Sequence, residues 1–306
     1  MHEEDLRVQH QSARESAIYE KLKKGPEFWN DIPAAIQIQR ESFVEEVRAL
    51  VTPTENSRCY PLIVGKHGTG KTSLIQLAVD GVNKDGPKGI AYVDMPDQCT
   101  ETTVVEVLQE ALGWSPDPVI DSGQGNHNSS LSVGIFEANK FVATSVEEVL
   151  KYLSGVASKY RKKHKRVPVL IIDNVNRLVQ DGQESILDLF QNYAKRGCDE
   201  GTVTVVFVSS EVPRRMMGKS IMLMVLFVNY YFAKLSAIER RSAWSRAGDI
   251  REIGDVSKEE ALQYLELRNI EKEQAAQIHE LVGGRMIHLK RIADTLKDGK
   301  STLQGM

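Results

Sequence analysis

At 306 residues and 41% hydrophobic content, the chain can bury the core of one large α/β domain with material left for a small accessory one. A formal net charge of −3 and a pI near 6.2 give no global attraction to nucleic acid or to a membrane surface, so either partner must be argued from a local patch. Cys59, Cys99 and Cys198 are far apart and form no C-x-x-C pair, which indicates neither a zinc site nor a disulfide framework and fits a reducing compartment.

The acidic opening Met1-His2-Glu3-Glu4-Asp5 leads into no apolar segment, which argues against a secretory signal or an Arg-rich transit peptide. An intracellular location, cytoplasmic or nuclear, is expected. Residues 1–33 hold few apolar positions; Ala17, Ile18 and Leu22 suit a short helix that Gly25-Pro26 ends, so a peripheral arm is expected there. From Ile36 to Val51, the residues Phe43, Val44, Val47, Leu50 and Val51 fall at i, i+1, i+4, i+7 and i+8, the pattern of an amphipathic helix.

The apolar run Pro61-Leu62-Ile63-Val64 then leads into Gly65-Lys66-His67-Gly68-Thr69-Gly70-Lys71-Thr72, which matches the phosphate-loop pattern G-x-x-x-x-G-K-[ST]. A triphosphate needs several backbone N–H groups turned toward it, and Gly65, Gly68 and Gly70 let the chain approach with no Cβ in the way. Lys71 would reach the β- and γ-phosphates as a point charge and the Thr72 hydroxyl would ligate Mg²⁺. The dipole of the following helix, which Ser73 continues, would favour the bound anion. Gly65 to Ser73 are thus the candidate nucleotide-binding residues.

After the loop, Leu74, Leu77, Ala78 and Val82 share a helical face, and a turn over 83–88 precedes a strand at 89–94, closing one strand–helix–strand unit. A helix is expected at 101–113 and a long Ser/Gly/Asn/Asp/Pro-rich loop at 114–140. Ser145-x-x-Glu148 reads as a capping box for a helix with an apolar stripe of Val146, Val149, Leu150, Leu153, Val156 and Ala157. The run from Arg161 to Arg166 is the one dense basic stretch. It reads either as a solvated helix end complementing the dipole or as a nuclear-import signal or nucleic-acid contact.

The apolar stretch Val167-Pro168-Val169-Leu170-Ile171-Ile172 ends in Asp173, as a buried parallel strand does when it delivers a residue to the C-terminal edge of a sheet. Asp173 would hold Mg²⁺ beside the phosphate loop, usually through water. Ile186, Leu187, Phe190 and Tyr193 mark a further helix, and a buried strand over 202–208 delivers Ser209, Ser210 and Glu211 to the same edge.

This order of parts resembles the AAA+ and STAND branch of P-loop ATPases. The resemblance implies an α/β fold, a three-layer P-loop NTPase sandwich with a parallel central sheet, followed by a small C-terminal helical lid. It implies ATP and Mg²⁺ as ligands, a γ-phosphate sensor at Ser209 or Ser210, and a second sensor at Arg285 after the paired glycines Gly283-Gly284. Residues 249–254 resemble the family's final strand and 256–262 its entry to the lid, where Ser257-x-x-Glu260 is a capping box. In the lid, Ala275, Ile278, Leu281 and Val282 mark one helix, and Met286, Leu289, Ile292, Ala293 and Leu296 the next. The expected division is an arm at 1–33, an ATPase core at 34–255 and a lid at 256–306. The wording of 68–77, 172–178 and 282–289 also resembles the ATPase region of fungal Crinkler-type proteins. Such proteins often carry a nuclease-like domain after that region, which is not expected within these 306 residues.

Two features depart from the AAA+ pattern. Asn174 stands where most active members have the acidic residue that polarises the attacking water; an amide orients water and cannot take its proton. General-base assistance contributes about 10²–10⁴-fold, so slow hydrolysis is expected unless another carboxylate substitutes, with Glu184 and Glu211 as candidates. The second is the nearly uncharged run Ile221 to Leu235, of about 15 residues against the roughly 20 that span a bilayer. A buried core element, an interfacial anchor and an inserted segment at 220–238 all fit it. Beyond it, Arg240, Arg241 and Arg246 read as solvated loop charges or as a finger for a neighbouring subunit.

The leading expectation is ATP hydrolysis driving a lid movement or an assembly change, with self-association or a protein partner. The alternative is a nucleotide-dependent switch with negligible turnover. A GTPase is disfavoured because no N-K-x-D signature is present, and a small-molecule kinase would not need the helical lid.

Overall fold

A computed structural model describes residues 2–28, 40–54, 57–84, 86–114, 145–210 and 246–297. Five short strands form one parallel sheet: β1 (Tyr60–Val64), β2 (Ile90–Asp94), β3 (Val169–Asp173), β4 (Thr204–Ser209) and β5 (Ala247–Glu252), in the spatial order β2-β3-β4-β1-β5. The helices are α1 (His2–Lys24), α2 (Glu41–Val51), α3 (Lys71–Asp80), α4 (Glu101–Ala111), α5 (Val146–His164), α6 (Asn176–Gln180), α7 (Glu184–Glu200), α8 (Lys258–Leu267), α9 (Lys272–Val282) and α10 (Met286–Lys297).

The edge strand β5 carries the exposed Arg251 and Glu252, whereas the four strands β1 to β4 are apolar on both faces, so each face needs a helical cover. Successive side chains divide between them with the period of two that a strand imposes. Leu62, Ala91, Val93, Leu170, Ile172, Val205 and Phe207 face the cluster built with α1, α4, α5 and α7. Ile63, Ile90, Val169, Ile171, Val206 and Val208 face the cluster built with α2 and α3. The result is the three-layer sandwich with a parallel central sheet that the sequence implies. A third cluster, among α8, α9 and α10, makes the C-terminal helical unit its own small core.

Several elements differ from the expectation. The N-terminal segment is a 23-residue helix, longer than the short one foreseen, and Ile18 and Leu22 lie in the main core at 0% and 1% exposure. It stops where Gly25 was expected to stop it. Its last carbonyls take hydrogen bonds from Lys88 N and Gly89 N at 3.0 and 2.8 Å, and Tyr19 meets His164 of α5 at 2.7 Å, so this stretch packs on the core where a peripheral arm was expected. On α3 the buried face is Leu74, Ile75, Ala78 and Val79, with Leu77 only half-buried, because the helix is covered by α2 on one side and the sheet on the other. β5 begins at Ala247, ahead of the expected 249, and pairs with β1 across an irregularity between Tyr60 and Leu62. Leu281 points to solvent. Of the expected loop at 114–140, Trp114 is buried in the main core, where its ring packs against Tyr152, and 115–140 lie outside the described residues, as do the 220–238 run, Glu211, Arg240 and Arg241. Arg246 pairs with Asp199 at 2.7 Å, at the edge of the sheet opposite the ends of β1 and β3.

The helical unit is fastened to the sheet at its entry. Ser257 accepts from Glu260 N at 3.2 Å and Glu260 returns a carboxylate to Ser257 N at 2.8 Å, completing the expected capping box; at α5 the Ser145 hydroxyl accepts from Glu148 N at 3.3 Å. The turn between α9 and α10 lies on the linker from β5, where Val256 N donates to Gly284 O at 2.9 Å and a Cβ on Gly284 would collide with the Val256 carbonyl. Gly284→Ala is therefore expected to lower unfolding stability by about 1–3 kcal/mol, the usual cost of overpacking against backbone. Urea melts of the two proteins check this; an unchanged midpoint would mean that the turn moves freely.

Candidate functional site

The phosphate loop leaves the C-terminal end of β1 and runs into α3. Gly68 and Gly70 adopt φ of +79° and +91°, conformations open to glycine and strained for other residues. Gly65 is excluded from carrying a side chain for a different reason, since a Cβ there would meet the Ile253 carbonyl. Thr69 folds its hydroxyl onto Lys66 O at 3.0 Å, which closes the loop on itself. Lys71 is buried at 4% exposure, and its ammonium donates to Gly65 O at 2.9 Å and Lys66 O at 3.1 Å. Burial pulls its pKa below the ordinary lysine value, with the nearby Asp173 charge acting in the opposite direction. Ser73 lies half-buried in the first turn of α3, while His67 sits exposed at the tip of the loop.

The spatial order of the strands carries the second motif to this loop. Asp173, at the end of β3, is 1% exposed. Its Oδ2 accepts from the Thr72 hydroxyl and from the Tyr92 phenol, both at 2.8 Å, and its Oδ1 from Asn174 N at 2.7 Å. Thr72 and Asp173 are 101 positions apart in sequence. Two hard oxygen donors in contact suit Mg²⁺, which typically takes one or two protein oxygens and keeps several waters. The donor set therefore fits the metal that the sequence implies.

Asn174 has φ of +55°, in the left-handed region that Asn tolerates better than most residues. Its amide is fixed at both ends: Nδ2 donates to Asp94 Oδ1 at 2.7 Å, and Oδ1 accepts from the Ser210 hydroxyl at 2.7 Å. Ser209 approaches Asn176 Oδ1 at 3.5 Å instead, and that same oxygen takes Ser210 N at 3.0 Å. Of the two serines, Ser210 is the one in contact with Asn174. Asp94 closes β2 directly opposite Asp173 in the register. Its carboxyl is pushed above the ordinary Asp value mainly by desolvation, against which the Asn174 hydrogen bond acts.

From the lid, Arg285 reaches the loop, donating from Nη1 to His67 O at 3.1 Å, while Ile287 N donates to Gly68 O at 3.1 Å. The Arg285 guanidinium also forks onto Asp255 in the linker, through Nε and through Nη2 at 3.1 Å. The structure thus brings Lys71, Thr72, Asp173, Asn174, Ser210 and Arg285 to one edge of the sheet. Glu184 begins α7, and among the described residues it makes no hydrogen bond to this group. Sequence reasoning assigned no role to Tyr92, Asp94 or Asp255. A carboxylate closing the strand before Asp173's was the one available signal.

The basic run lies at the other edge of the sheet. Arg161, Lys162 and Lys165, with Ser158 and Thr202, line a cleft of about 300 Å³ there, and Arg161 donates to Glu200 O at 3.4 Å. Among the described residues no helix is long and apolar enough to cross a membrane.

Comparison with solved structures finds the same fold in the Walker-type ATPase PABY2304 of Pyrococcus abyssi, at a TM-score of 0.55 and 16% identity over 86% of this chain and 69% of that one. Cdc6p from Pyrobaculum aerophilum matches with a TM-score of 0.50 and 11% identity, over 92% of this chain and 66% of that one. No curated protein sequence matches. A family model described as an ATPase domain predominantly from Archaea matches residues 38–292. That match takes in the phosphate loop, Asp173 and the lid, so the chain belongs to this ATPase-domain family and has the P-loop ATPase fold of the AAA+ type.

Proposed function

We propose that the chain binds Mg-ATP between the phosphate loop and the lid, hydrolyses it slowly, and uses the cycle to shift the lid or an assembly. The observation that carries this reading is the contact of Thr72 with Asp173 at 2.8 Å beside the buried Lys71, which brings two distant motifs together as a site for metal and phosphate would require. In it Lys71 would neutralise the β- and γ-phosphates, and Thr72 and Asp173 would hold Mg²⁺, whose charge offsets that of the phosphates. Ser210 and Arg285 would contact the γ-phosphate. Because Arg285 bonds both the loop and Asp255, a phosphate competing for it would alter the lid's attachment.

Asn174 supports turnover slower than that of members with an acidic residue there, since an amide cannot take a proton from water and any acceptor must come from a neighbouring element. We expect micromolar binding of a fluorescent ATP analogue with Mg²⁺, weaker binding in EDTA, and phosphate release well below the ~10 s⁻¹ of a median enzyme. Absence of Mg-dependent nucleotide binding would remove the proposal. Binding without phosphate release would select the switch reading, and gel filtration with ADP and with a non-hydrolysable ATP analogue would reveal a nucleotide-driven assembly.

A polyanion held in the basic cleft would sit at the sheet edge away from the nucleotide and would not compete with it. The wording of 68–77, 172–178 and 282–289 supports a nearer kinship with Crinkler-type ATPase regions within the broader family.

A further inference from the structure

Asn174 leaves the proposed site without a proton acceptor at the end of β3, yet its side chain is bound to one. Asn174 Nδ2 donates to Asp94 Oδ1 at 2.7 Å, and Ser210 Oγ donates to Asn174 Oδ1 at 2.7 Å, so the amide is held in one orientation between a hydroxyl on the β4 side and a carboxylate on β2. Asp94 and Asp173 are direct partners in the β2–β3 register, which places the two carboxylates on neighbouring strands at the same edge, about 4.8 Å apart in backbone spacing.

The two carboxylates are differently engaged. Asp173 is buried and takes three hydrogen bonds, from Thr72, Tyr92 and Asn174 N, which suits a group committed to a metal. Asp94 is 54% exposed at its side chain, and among the described residues its Oδ2 accepts no hydrogen bond. Arg177 comes within 3.4 Å of Oδ1, but that guanidinium is held mainly by Asp97 at 2.7 Å and by Met95 O. A carboxylate oxygen open to solvent next to an oriented amide is the arrangement in which water can be bound and deprotonated.

Resting on the Mg-ATP hydrolysis reading above, we infer that Asp94 is the proton acceptor for the attacking water and that Asn174, fixed by Ser210, orients that water. The water oxygen bonds to the γ-phosphorus as the bond from that phosphorus to the β–γ bridging oxygen breaks, leaving its electron pair on ADP. One water proton passes to Asp94 and the other stays on the phosphate; Asp94 then releases its proton to phosphate or solvent. The carboxylate sits at the end of β2, one strand over from the position after Asp173 where the AAA+ resemblance expects an acidic residue.

The test is phosphate release and Mg-ATP binding in four full-length proteins: wild type, Asp94→Asn, Asn174→Asp, and the exchange Asp94→Asn with Asn174→Asp. Aspartate tolerates the left-handed backbone at 174 about as well as Asn, so the exchange keeps the local geometry. We expect Asp94→Asn to lose at least tenfold in kcat, in the general-base range of about 10²–10⁴, with its Kd for Mg-ATP within threefold of wild type. The exchange should turn over faster than Asp94→Asn alone, and Asn174→Asp by itself should gain less over wild type than the exchange gains over Asp94→Asn, a non-additivity that a merely structural Asp94 would not give. Asp94→Asn retaining more than a tenth of wild-type kcat, or an exchange no faster than it, overturns the inference while wild-type turnover still stands. A wild type that does not bind Mg-ATP overturns the reading beneath it.

Discussion

Lys71→Ala is expected to reduce phosphate release by about 10²–10³-fold, the usual cost of deleting one preorganised donor to developing charge. Lys71 is 4% exposed and its ammonium is already turned into the loop, bonded to Gly65 O and Lys66 O, so little reorganisation separates this position from the phosphates. Alanine leaves the helix intact, because residue 71 opens α3 and Ala is the best helix former. What the fold loses is one buried donor to two carbonyls, of order 1 kcal/mol, too little to unfold a domain of this size. Activity should therefore fall far more than stability. Thermal melts followed by circular dichroism, run beside the phosphate assay, separate the two. A variant that keeps more than a third of wild-type turnover would show that the observed hydrolysis does not pass through this loop.

The parts of the site legible in the sequence are those written in consecutive residues. The phosphate loop is a local pattern with a strand before and a helix after it, and Asp173 follows an apolar run, so each is visible without knowing the topology. Asp94 with Asn174 and Tyr92 with Asp173 are different. Those contacts exist because β2 lies beside β3, and nothing in either segment announces the neighbour. The pairing of Arg285 with Asp255 likewise depends on how the lid folds back over its own linker. The length of α1 was hidden by composition. Its inward face is carried largely by Arg14, Ile18 and Leu22 at every fourth position, and the buried Arg14 stacks its guanidinium over Trp114 at 4.8 Å, which no apolar periodicity records. β5 starts early because it pairs with β1 from Tyr60, although Ala247-Gly248 has little strand propensity of its own.

Asp173→Ala should abolish the dependence of nucleotide binding on Mg²⁺ and lower stability as well. The wild-type carboxylate collects Thr72, Tyr92 and the Asn174 amide, and these donors are not equivalent once it is gone. Thr72 is exposed and can turn to water, whereas the Tyr92 phenol is largely enclosed. A buried donor left without an acceptor costs about 1–3 kcal/mol. Part of this is offset because removing Asp173 also removes a like charge facing Asp94 across the β2–β3 pair. The net loss should fall toward the lower end of that range, about 1–2 kcal/mol in a urea melt. Asp173→Asn separates charge from shape. Its amide oxygen still accepts while the negative charge needed for a divalent cation is gone, so its stability should lie closer to wild type while its Mg²⁺ dependence is lost. The measurement is nucleotide affinity with Mg²⁺ and with EDTA for the three proteins: the ratio should be large for wild type and near one for both variants. If Asp173→Asn kept the wild-type ratio, the metal would have to be held elsewhere, and the Thr72–Asp173 contact would be a packing interaction that only happens to lie at the mouth of the loop.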